Sequence, residues 1–457
     1  MTIFRKKSVN SIFEESQKKL LKPTMKTIDL VLFGVGVIVG TGILVLTGAA
    51  SAQAGPAVIF SFLIAGLACC LAALCYAELA SAIPSSGGTY TYVYVAIGEL
   101  VAHIMGWLMI GGYIIFAAAV ANGWSSYFTR LLLGLGVDIP EKLIKIPAEG
   151  GIVNLPPIIL VALLTIVLWN GASSSKLVNN ILVTIKISIV LLFVVVGVFY
   201  VEPTNWTNNF SPTGFIGVMT AATTVLLAYL GFDAIATSSE ETIDPGKSLP
   251  RAIIITMIIC TSLYIIVCLI LTGVVPYNEL GQGDALAFVL EKVGQNTVAG
   301  VVTLGAVIGL MAGVLSCMFA SIRVVYTMGR DGLIPKKFMQ VNKNNVPSLS
   351  TWIVGVMTAI LASFLPLGQL AELANLSAIL SFALISYSTL AIAKLYPEIK
   401  RPFKVPAMPY IPVLSMLLFA ALLYSVTLTT WIIVSIWTIL GLIVYFSYSK
   451  KHSKEEK

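Results

Sequence analysis

A run of glycines interrupts the first apolar stretch of the chain. Of the nine residues from Gly34 to Gly42, four are glycine. A glycine in a helix interior costs roughly 1 kcal/mol relative to alanine, and a broken backbone in hydrocarbon is tolerated only where it is buried in protein or lines a cavity. The stretch is therefore either a tight packing face, with Gly36 and Gly40 as a small-xxx-small pair, or an unwound segment that offers bare N–H and C=O groups to a ligand.

A second interruption, around Leu230-Gly231, lies inside a later apolar stretch. Two interrupted helices in corresponding places favour the unwound interpretation. At a rise of about 1.5 Å per residue, the segment from Ile38 to Gly42 lies roughly 15–20 Å into its stretch, near the bilayer midplane. A half-helix that begins near Gly42 would present its N-terminal N–H groups to an anion, and the carbonyls at 227–231 suit an ammonium group. The pair predicts a zwitterionic ligand.

Lys186 is the other outlier. It follows Lys176, at the predicted cytoplasmic end of its stretch, by ten residues, which corresponds to a depth of about 15 Å. Its side chain is too short to reach water from there, and a charge at the bilayer centre costs at least about 2.5–3.5 kcal/mol. We therefore expect Lys186 to face a cavity or a partner, either as an amine that gains and loses a proton or as a permanently charged strut bonded to carbonyls.

The remaining polar residues do not form a catalytic pattern. No nucleophile–base pair stands out at depth, and the only histidines are His103 and His452. All six cysteines fall inside apolar stretches, where they behave as small core residues. We expect no catalytic residues, no metal and no cofactor, and the chain is not expected to be an enzyme. Isolated charges without a continuous polar lining argue against a channel.

Composition defines the elements that must position these residues. The chain has 457 residues, 58% hydrophobic and 11% charged, whereas soluble chains carry about 25% charged residues. The sequence predicts an all-α integral membrane protein with twelve apolar stretches of about 20 residues. These stretches are roughly 28–54, 56–82, 98–130, 156–172, 177–200, 214–239, 250–275, 298–328, 349–366, 371–396, 408–427 and 430–448.

The distribution of basic residues sets the topology. With the N-terminus inside, the Lys and Arg residues fall in cytoplasmic segments, apart from Arg130, Lys142, Lys145, Lys292 and the membrane-embedded Lys186. This asymmetry follows the positive-inside rule and predicts that both termini are cytoplasmic. The net charge of +7 would then face anionic membrane lipid rather than nucleic acid. We expect no cleavable signal peptide, because the first apolar stretch is too long for one.

Counting the stretches reveals a weak internal symmetry. Five fill residues 28–200 and five more fill 214–396, so the second half is inserted upside down relative to the first. The predicted organisation is completed by a cytoplasmic segment at 1–27 that could contain an interfacial helix, two helices within 397–449, and a tail at 450–457. A turn-rich cytoplasmic connection is expected at 84–90 and a short outer helix at 283–294.

Motifs in several segments point to a known family. They are Val39-Gly40-Thr41-Gly42-Ile43, Tyr76-Ala77-Glu78-Leu79, Ser86-Gly87-Gly88-Thr89-Tyr90, Gly231-Phe232-Asp233-Ala234-Ile235-Ala236-Thr237 with Glu240-Glu241, and Met328-Gly329-Arg330-Asp331-Gly332-Leu333-Ile334-Pro335. From about residue 10 to 400, the chain resembles the amino acid–polyamine–organocation (APC) superfamily, in its bacterial branch similar to cationic amino acid transporters. The resemblance implies the five-plus-five inverted-repeat fold of the leucine transporter with two extra helices.

The resemblance also implies roles for individual residues. A substrate carboxylate would meet the amides of Thr41 and Gly42. Its ammonium would meet the carbonyls of Ile38, Leu227 and Leu230, with Ala228 adjacent, and Phe232 and Met318 are candidates for the gate and the side-chain subsite. Lys186 matches the lysine of proton-coupled relatives. The family's aromatic residue near the second break is Leu227 here, so the outer gate is not identified.

On this basis we expect a secondary transporter in a bacterial inner membrane that imports L-amino acids by proton symport with alternating access. Two alternatives stay open: an exchanger of amino acids or polyamines in which Lys186 is only a strut, and an amino-acid sensor on the same fold. The expected partners are an L-amino acid, the proton and membrane lipid. The sequence does not specify the substrate side chain, the oligomeric state or an accessory subunit.

Overall fold

The computed structural model describes residues 5–8, 25–40, 42–83, 88–171, 176–237, 242–344, 346–424 and 426–453. Within these ranges the chain is helical apart from turns, loops and two isolated β-bridges. The expected all-α architecture is confirmed for this part of the chain. Thr41, the segment Pro84–Gly87 and the pair Glu240-Glu241, all named from the sequence, lie outside the described residues.

Most of the helices overlap the predicted apolar stretches, and the short helices at 88–96 and 285–292 lie between them. The first group comprises α1 (Thr27–Ile38), α2 (Thr47–Ala54), α3 (Val58–Ala82), α4 (Gly88–Ala96), α5 (Glu99–Gly134), α6 (Leu155–Trp169) and α7 (Lys176–Gly197). The second group comprises α8 (Gly214–Leu226), α9 (Phe232–Thr237), α10 (Pro245–Val274), α11 (Ala285–Lys292), α12 (Asn296–Arg330), α13 (Ser348–Phe364), α14 (Leu367–Leu395), α15 (Tyr410–Leu423) and α16 (Leu428–Val444).

Several of these helices are long and apolar enough to cross a membrane. Among the described residues there are seven such runs, the first of which lies within 27–82, and four shorter apolar helices accompany them. The most apolar window of α5 is 72% buried, whereas that of the last run, Leu428–His452, is only 22% buried. Helix α5 therefore lies at the centre of the bundle, with α12 and α14 packed against it, and α16 lies at the periphery.

The periphery carries the apolar surface that a bilayer requires. On α16, Ile432, Ile436, Ile439 and Ile443 are exposed and recur every three or four residues, which places them on one face of the helix. A helix that is apolar on its outward face is stable where the surrounding medium is hydrocarbon. The exposed stripe therefore agrees with a membrane environment.

Two predictions about short segments have different outcomes. The short helix expected within 283–294 is confirmed as α11, and its outer position stays a prediction. The prediction of a turn-rich connection at 84–90 is wrong for its last three residues, because α4 begins at Gly88 and runs to Ala96. Its alternating tyrosines and β-branched residues are typical of a strand. The helix forms because Tyr90, Tyr92 and Tyr94 are all buried in the surrounding bundle, and tertiary packing overrides local propensity.

Glycines allow the central helices to approach closely. A Cβ at Gly36 would overlap the Val183 side chain of α7, and one at Gly34 would lie 2.9 Å from the Thr256 hydroxyl of α10. Further along, a Cβ at Gly123 of α5 would lie 2.6 Å from a methyl of Val45. The packing interpretation of the glycine run is therefore correct for Gly36, although the helix itself ends two residues later.

We expect Gly123→Ala to destabilise the protein, since overpacking a filled contact costs roughly 1–3 kcal/mol, more than the gain of about 1 kcal/mol in helix propensity. The matched control is Gly300→Ala on α12, where a Cβ meets nothing within 4 Å. Thermal unfolding of the purified protein in detergent measures both variants. A midpoint for Gly123→Ala at or above that of Gly300→Ala would contradict the packing described here.

Candidate functional site

The first interruption is a break between two helical segments. Helix α1 ends at Ile38, and Val39 has an extended ψ of 91°, although its N–H still donates to the Val35 carbonyl at 2.7 Å. Gly40 forms a turn, and the chain resumes as a π-helix from Gly42 to Leu46 that leads directly into α2. The glycine run therefore contains both a close packing contact at Gly36 and a break in the helix after Ile38.

The second interruption has the same form. Helix α8 ends at Leu226 and is followed by a single 3₁₀ turn from Leu227 to Tyr229. Leu230 is extended, and Gly231 has a φ of +119°, a conformation that requires glycine. Helix α9 then begins at Phe232. The predicted break around Leu230-Gly231 is confirmed as a feature of the backbone.

The two breaks lie in direct contact. A Cβ added to Gly42 would lie 2.5 Å from the Cβ of Ala228 and 2.6 Å from its Cα. Ile38, Leu227 and Ala228 are all buried around this contact. Residues separated by almost two hundred positions in sequence are therefore brought together where each helix has lost its regular hydrogen bonds.

A tyrosine from a third helix joins the two breaks. The Tyr264 hydroxyl of α10 lies 2.9 Å from the carbonyl oxygen of Ile38 and 2.6 Å from that of Ala228, and its one proton is shared between these two acceptors. The sequence analysis missed Tyr264, because nothing in its local pattern separates it from the other aromatic residues of an apolar helix. Each carbonyl has a second lone pair, so the hydroxyl does not exhaust the acceptors of the breaks.

Other carbonyls at the breaks also have one donor each. The Leu230 N–H donates to the Leu227 carbonyl at 3.2 Å, and the Leu44 N–H donates to the Gly40 carbonyl at 3.0 Å. The sequence predicts that the carbonyl and amide groups at both breaks are free after unwinding. They retain local bonds because short turns replace the regular helix, which is how backbone groups stay satisfied away from water.

Lys186 is buried beside the first break. Its side chain is 2% exposed, and Nζ donates to the Gly36 carbonyl at 2.9 Å. Its aliphatic stem packs on Gly309 of α12, where a Cβ would lie 2.8 Å from Cγ. Within the described residues no carboxylate lies within 4.0 Å of Nζ. The amine therefore connects α7, α1 and α12, and its hydrogen-bond acceptor is a backbone carbonyl.

Asp233 shapes the second break. Its Oδ1 accepts from the Gly231 N–H at 3.1 Å, and its Oδ2 accepts from the Tyr113 hydroxyl of α5 at 2.6 Å. These bonds supply the partner that a buried carboxylate needs. Cys317 of α12 lies close to both Asp233 and Lys186.

The candidate gate residues are buried. Phe232 packs against Tyr76 and Phe382, with ring centroids 5.5 and 4.9 Å away. Met318 on α12 is fully buried and follows Cys317 in the chain. The breaks, Lys186 and Asp233 are thus enclosed on several sides by side chains of the bundle.

Three other polar residues of the bundle lie in structural contacts. Glu78 accepts from Arg401 at 3.1 Å, and the His103 ring lies 2.9 Å from the Gly441 carbonyl. Glu99 is fully buried and collects hydrogen bonds from several donors. These are Tyr94 on the adjoining helix and, from the end of the chain, Tyr445 and Ser453, and Arg5 lies 3.7 Å from the same carboxylate.

The described residues contain no group of three or more His, Cys, Asp or Glu side chains arranged to hold a metal ion. What the breaks do offer is backbone amides and carbonyls, one amine and one carboxylate within a buried region. Such a set can bind a small polar molecule by its charged ends.

Comparisons with known proteins agree with this picture. A sequence model of the family described as amino acid permease matches residues 25–446. The chain is 44% identical to the methylthioribose transporter of Bacillus subtilis (strain 168) over 456 residues, covering 99% of both chains. It is 43% identical over 460 residues to the branched-chain amino acid permease BcaP of the same organism, again with 99% of both chains covered.

A more distant relative is the human cationic amino acid transporter 4. It is 34% identical over 387 residues, which is 83% of this chain and 61% of that protein. All of these relatives are named as transporters or permeases, and none as an enzyme. Given the family match over nearly its whole length and the apolar helices that carry the two breaks, the chain is a membrane transport protein that belongs to the amino acid permease family.

Proposed function

We propose that this protein imports L-amino acids across the inner membrane of a bacterial cell by proton symport, with both termini in the cytoplasm. The observation that carries the proposal is the contact between Gly42 and Ala228, which puts two helix breaks together inside an apolar bundle. The basic residues of the connecting segments support this topology through the positive-inside rule. The twelve-helix arrangement of two inverted halves, 28–200 and 214–396, belongs to the same proposal.

In the proposed site the backbone recognises the substrate. The amides of Thr41 and Gly42 bind its carboxylate at the start of the second half-helix, where the positive end of the helix dipole favours an anion. The carbonyls of Ile38, Leu227 and Leu230 bind its ammonium group, with Ala228 alongside. The carbonyls of Ile38 and Leu227 each have one donor already, and the second lone pair of each remains available to the substrate.

Lys186 couples the site to the proton. Its amine bonds to Gly36, two residues before Ile38, at the last turn of α1. A charged amine donates to that carbonyl, whereas loss of a proton weakens the bond and frees this end of α1. A charge moved through 100 mV is worth about 2.3 kcal/mol, so a proton carried with the substrate can drive accumulation. The alternative is an exchanger in which Lys186 is a permanent strut.

The substrate side chain faces apolar residues in this proposal, with Phe232 and Met318 as the candidates for gate and subsite. Branched-chain amino acids are therefore the first candidates, and this agrees with the name of the 43% identical permease. Methylthioribose is a second candidate, because the 44% identical relative is named for it. That sugar has neither a carboxylate nor an ammonium group, so it would not need the two breaks in the same way.

A thermal-shift screen of the purified protein tests the substrate class. The ligands are the twenty amino acids, common polyamines and methylthioribose. We expect stabilisation by apolar L-amino acids, because a ligand that binds only the folded state stabilises it by RT ln(1 + [L]/Kd), which grows with the logarithm of the ligand concentration. Stabilisation by methylthioribose alone, or by polyamines alone, would contradict the proposal.

Lys186→Ala should keep ligand binding in detergent and lose uptake driven by a pH gradient in proteoliposomes. The reason is that the amine contacts the backbone near the break, while the proposed substrate contacts are other groups. Exchange of labelled for unlabelled substrate across the vesicle membrane, without a gradient, serves as the control for folding and transport competence. Gradient-driven accumulation equal to that of the unchanged protein would refute proton coupling through this amine.

Gly42→Leu should abolish high-affinity substrate binding, since its side chain would collide with the Ala228 backbone at the contact between the breaks. Gly300→Leu is the matched control, because a side chain there points into open space. Isothermal titration calorimetry with the best ligand of the screen compares the two. Unchanged affinity in Gly42→Leu would show that the contact is a packing feature and not a binding site.

A further inference from the structure

A polar cavity of about 680 Å³ lies at the end of α5 that would face outward in the proposed topology. Its walls are the last turns of α5, the loop that contains Lys145 and Glu149, and the segment from Gly281 to Asp284 that leads into α11. Cavities of 300–1,000 Å³ are the usual size of small-molecule sites. The volume is therefore large enough to admit an amino acid.

Arg130 supplies the cavity with a cation. Its Nε pairs with Asp284 and its Nη1 with Glu291. Both carboxylates belong to the segment 281–292, which contains α11 and is called the hairpin below. The third guanidinium nitrogen, Nη2, makes no hydrogen bond within the described residues. A guanidinium is always charged, and its planar fork binds a carboxylate in two-point fashion. Arg130 therefore retains donors for an anionic group while it holds the hairpin.

The rest of the lining can hold the other end of a zwitterion. The hydroxyls of Ser126 and Thr129 line the same wall as Arg130, and Glu149 and the 41% exposed Glu291 supply negative charge. Lys145 is engaged by Glu141 at 2.7 Å. Cation and carboxylates thus lie around one water-accessible volume, which matches a ligand with both charges.

Close packing separates this cavity from the two breaks. Val45, in the π-helix that follows Gly42, packs on Gly123 of α5, and a Cβ at Gly283 would lie 3.0 Å from the Ser126 hydroxyl. On the other side of the π-helix, Gly48 of α2 lies against the segment before α11, where a Cβ would be 2.7 Å from the Leu280 carbonyl. The hairpin therefore closes over the second half-helix, and Arg130 fastens the hairpin to α5.

We propose that this cavity is a second, transient binding site that captures zwitterionic amino acids at the outer mouth, with Arg130 as its carboxylate-binding residue. The incoming carboxylate competes with Asp284 and Glu291 for the guanidinium. As these ion pairs exchange, the hairpin is released from α5 and the route to the breaks opens. The inference rests on the proposed function, since it assigns an entry site to the same substrate.

The test uses a protein whose central site is blocked. In Gly42→Leu, we expect L-leucine to bind weakly, in the millimolar range, by saturation-transfer NMR or calorimetry at high concentration. Adding Arg130→Gln should remove this binding, whereas adding Asp284→Asn should strengthen it about two- to tenfold, because one competitor for the guanidinium is lost. If Arg130 had only a structural role, Arg130→Gln and Asp284→Asn would both weaken or both strengthen the weak leucine binding.

Two further comparisons define the site. Lys292 belongs to the same hairpin, but it pairs with Glu279 at 3.0 Å and does not line the cavity. The substitution Lys292→Gln should therefore leave the weak binding unchanged. 4-Methylpentanoate and isoamylamine, which each lack one charged group of leucine, should bind at least tenfold more weakly than leucine.

The outcomes separate this inference from the proposed function. Binding of leucine to the unchanged protein, with no residual binding in Gly42→Leu, overturns the mouth site and leaves the proposed transport intact. If Gly42→Leu does not fold, Arg130→Gln alone decides. In Arg130→Gln we then expect kcat/KM for uptake to fall at least threefold, while Kd in detergent stays unchanged. The inference is overturned if kcat/KM and Kd both change, or if neither of them changes.

Discussion

The structure depends on one constraint: a peptide group in hydrocarbon needs a hydrogen-bond partner. A helix that breaks at mid-depth leaves amides and carbonyls without their usual partners, each at a cost of several kcal/mol. Here the cost is limited in three ways. Short turns at 227–230 and 40–44 retain local bonds, the Tyr264 hydroxyl reaches two carbonyls, and the Lys186 amine reaches a third. The breaks persist because neighbouring helices supply these donors.

The contact between the breaks also explains why side chains there are small. Gly42 meets the backbone of Ala228 directly, and Gly36 and Gly309 make room for Val183 and for the stem of Lys186. Each of these glycines is surrounded by other helices, so its low helix propensity is offset by packing that a larger residue would prevent. Close approach of helices and local unwinding are therefore two consequences of the same composition.

Much of this could be predicted from the sequence, because the signals were local. Hydrophobic length located the helices, and glycine at 34–42 and 231 located the breaks. The burial of Lys186 also followed from its position in an apolar stretch. Tyr264 could not be predicted, since its role depends on where α10 lies relative to α1 and α8. The helix at Gly88–Ala96 was missed for a similar reason, because its alternating pattern is typical of a strand and only the surrounding bundle selects the helix. The acceptor of Lys186, a carbonyl of a distant helix, likewise requires three-dimensional information.

The carboxylate of Glu99 has a bearing on how the chain is assembled. Its partners are far apart in the sequence: Arg5 precedes α1, and Tyr445 and Ser453 follow α16. A chain synthesised from its N-terminus contains α5 long before residues 445–453 exist, so this carboxylate lacks these donors until that segment has been made. Closure of that end of the bundle then has to follow the synthesis of residues 445–453, and a nascent chain that stops before them would leave Glu99 with only part of its set of donors.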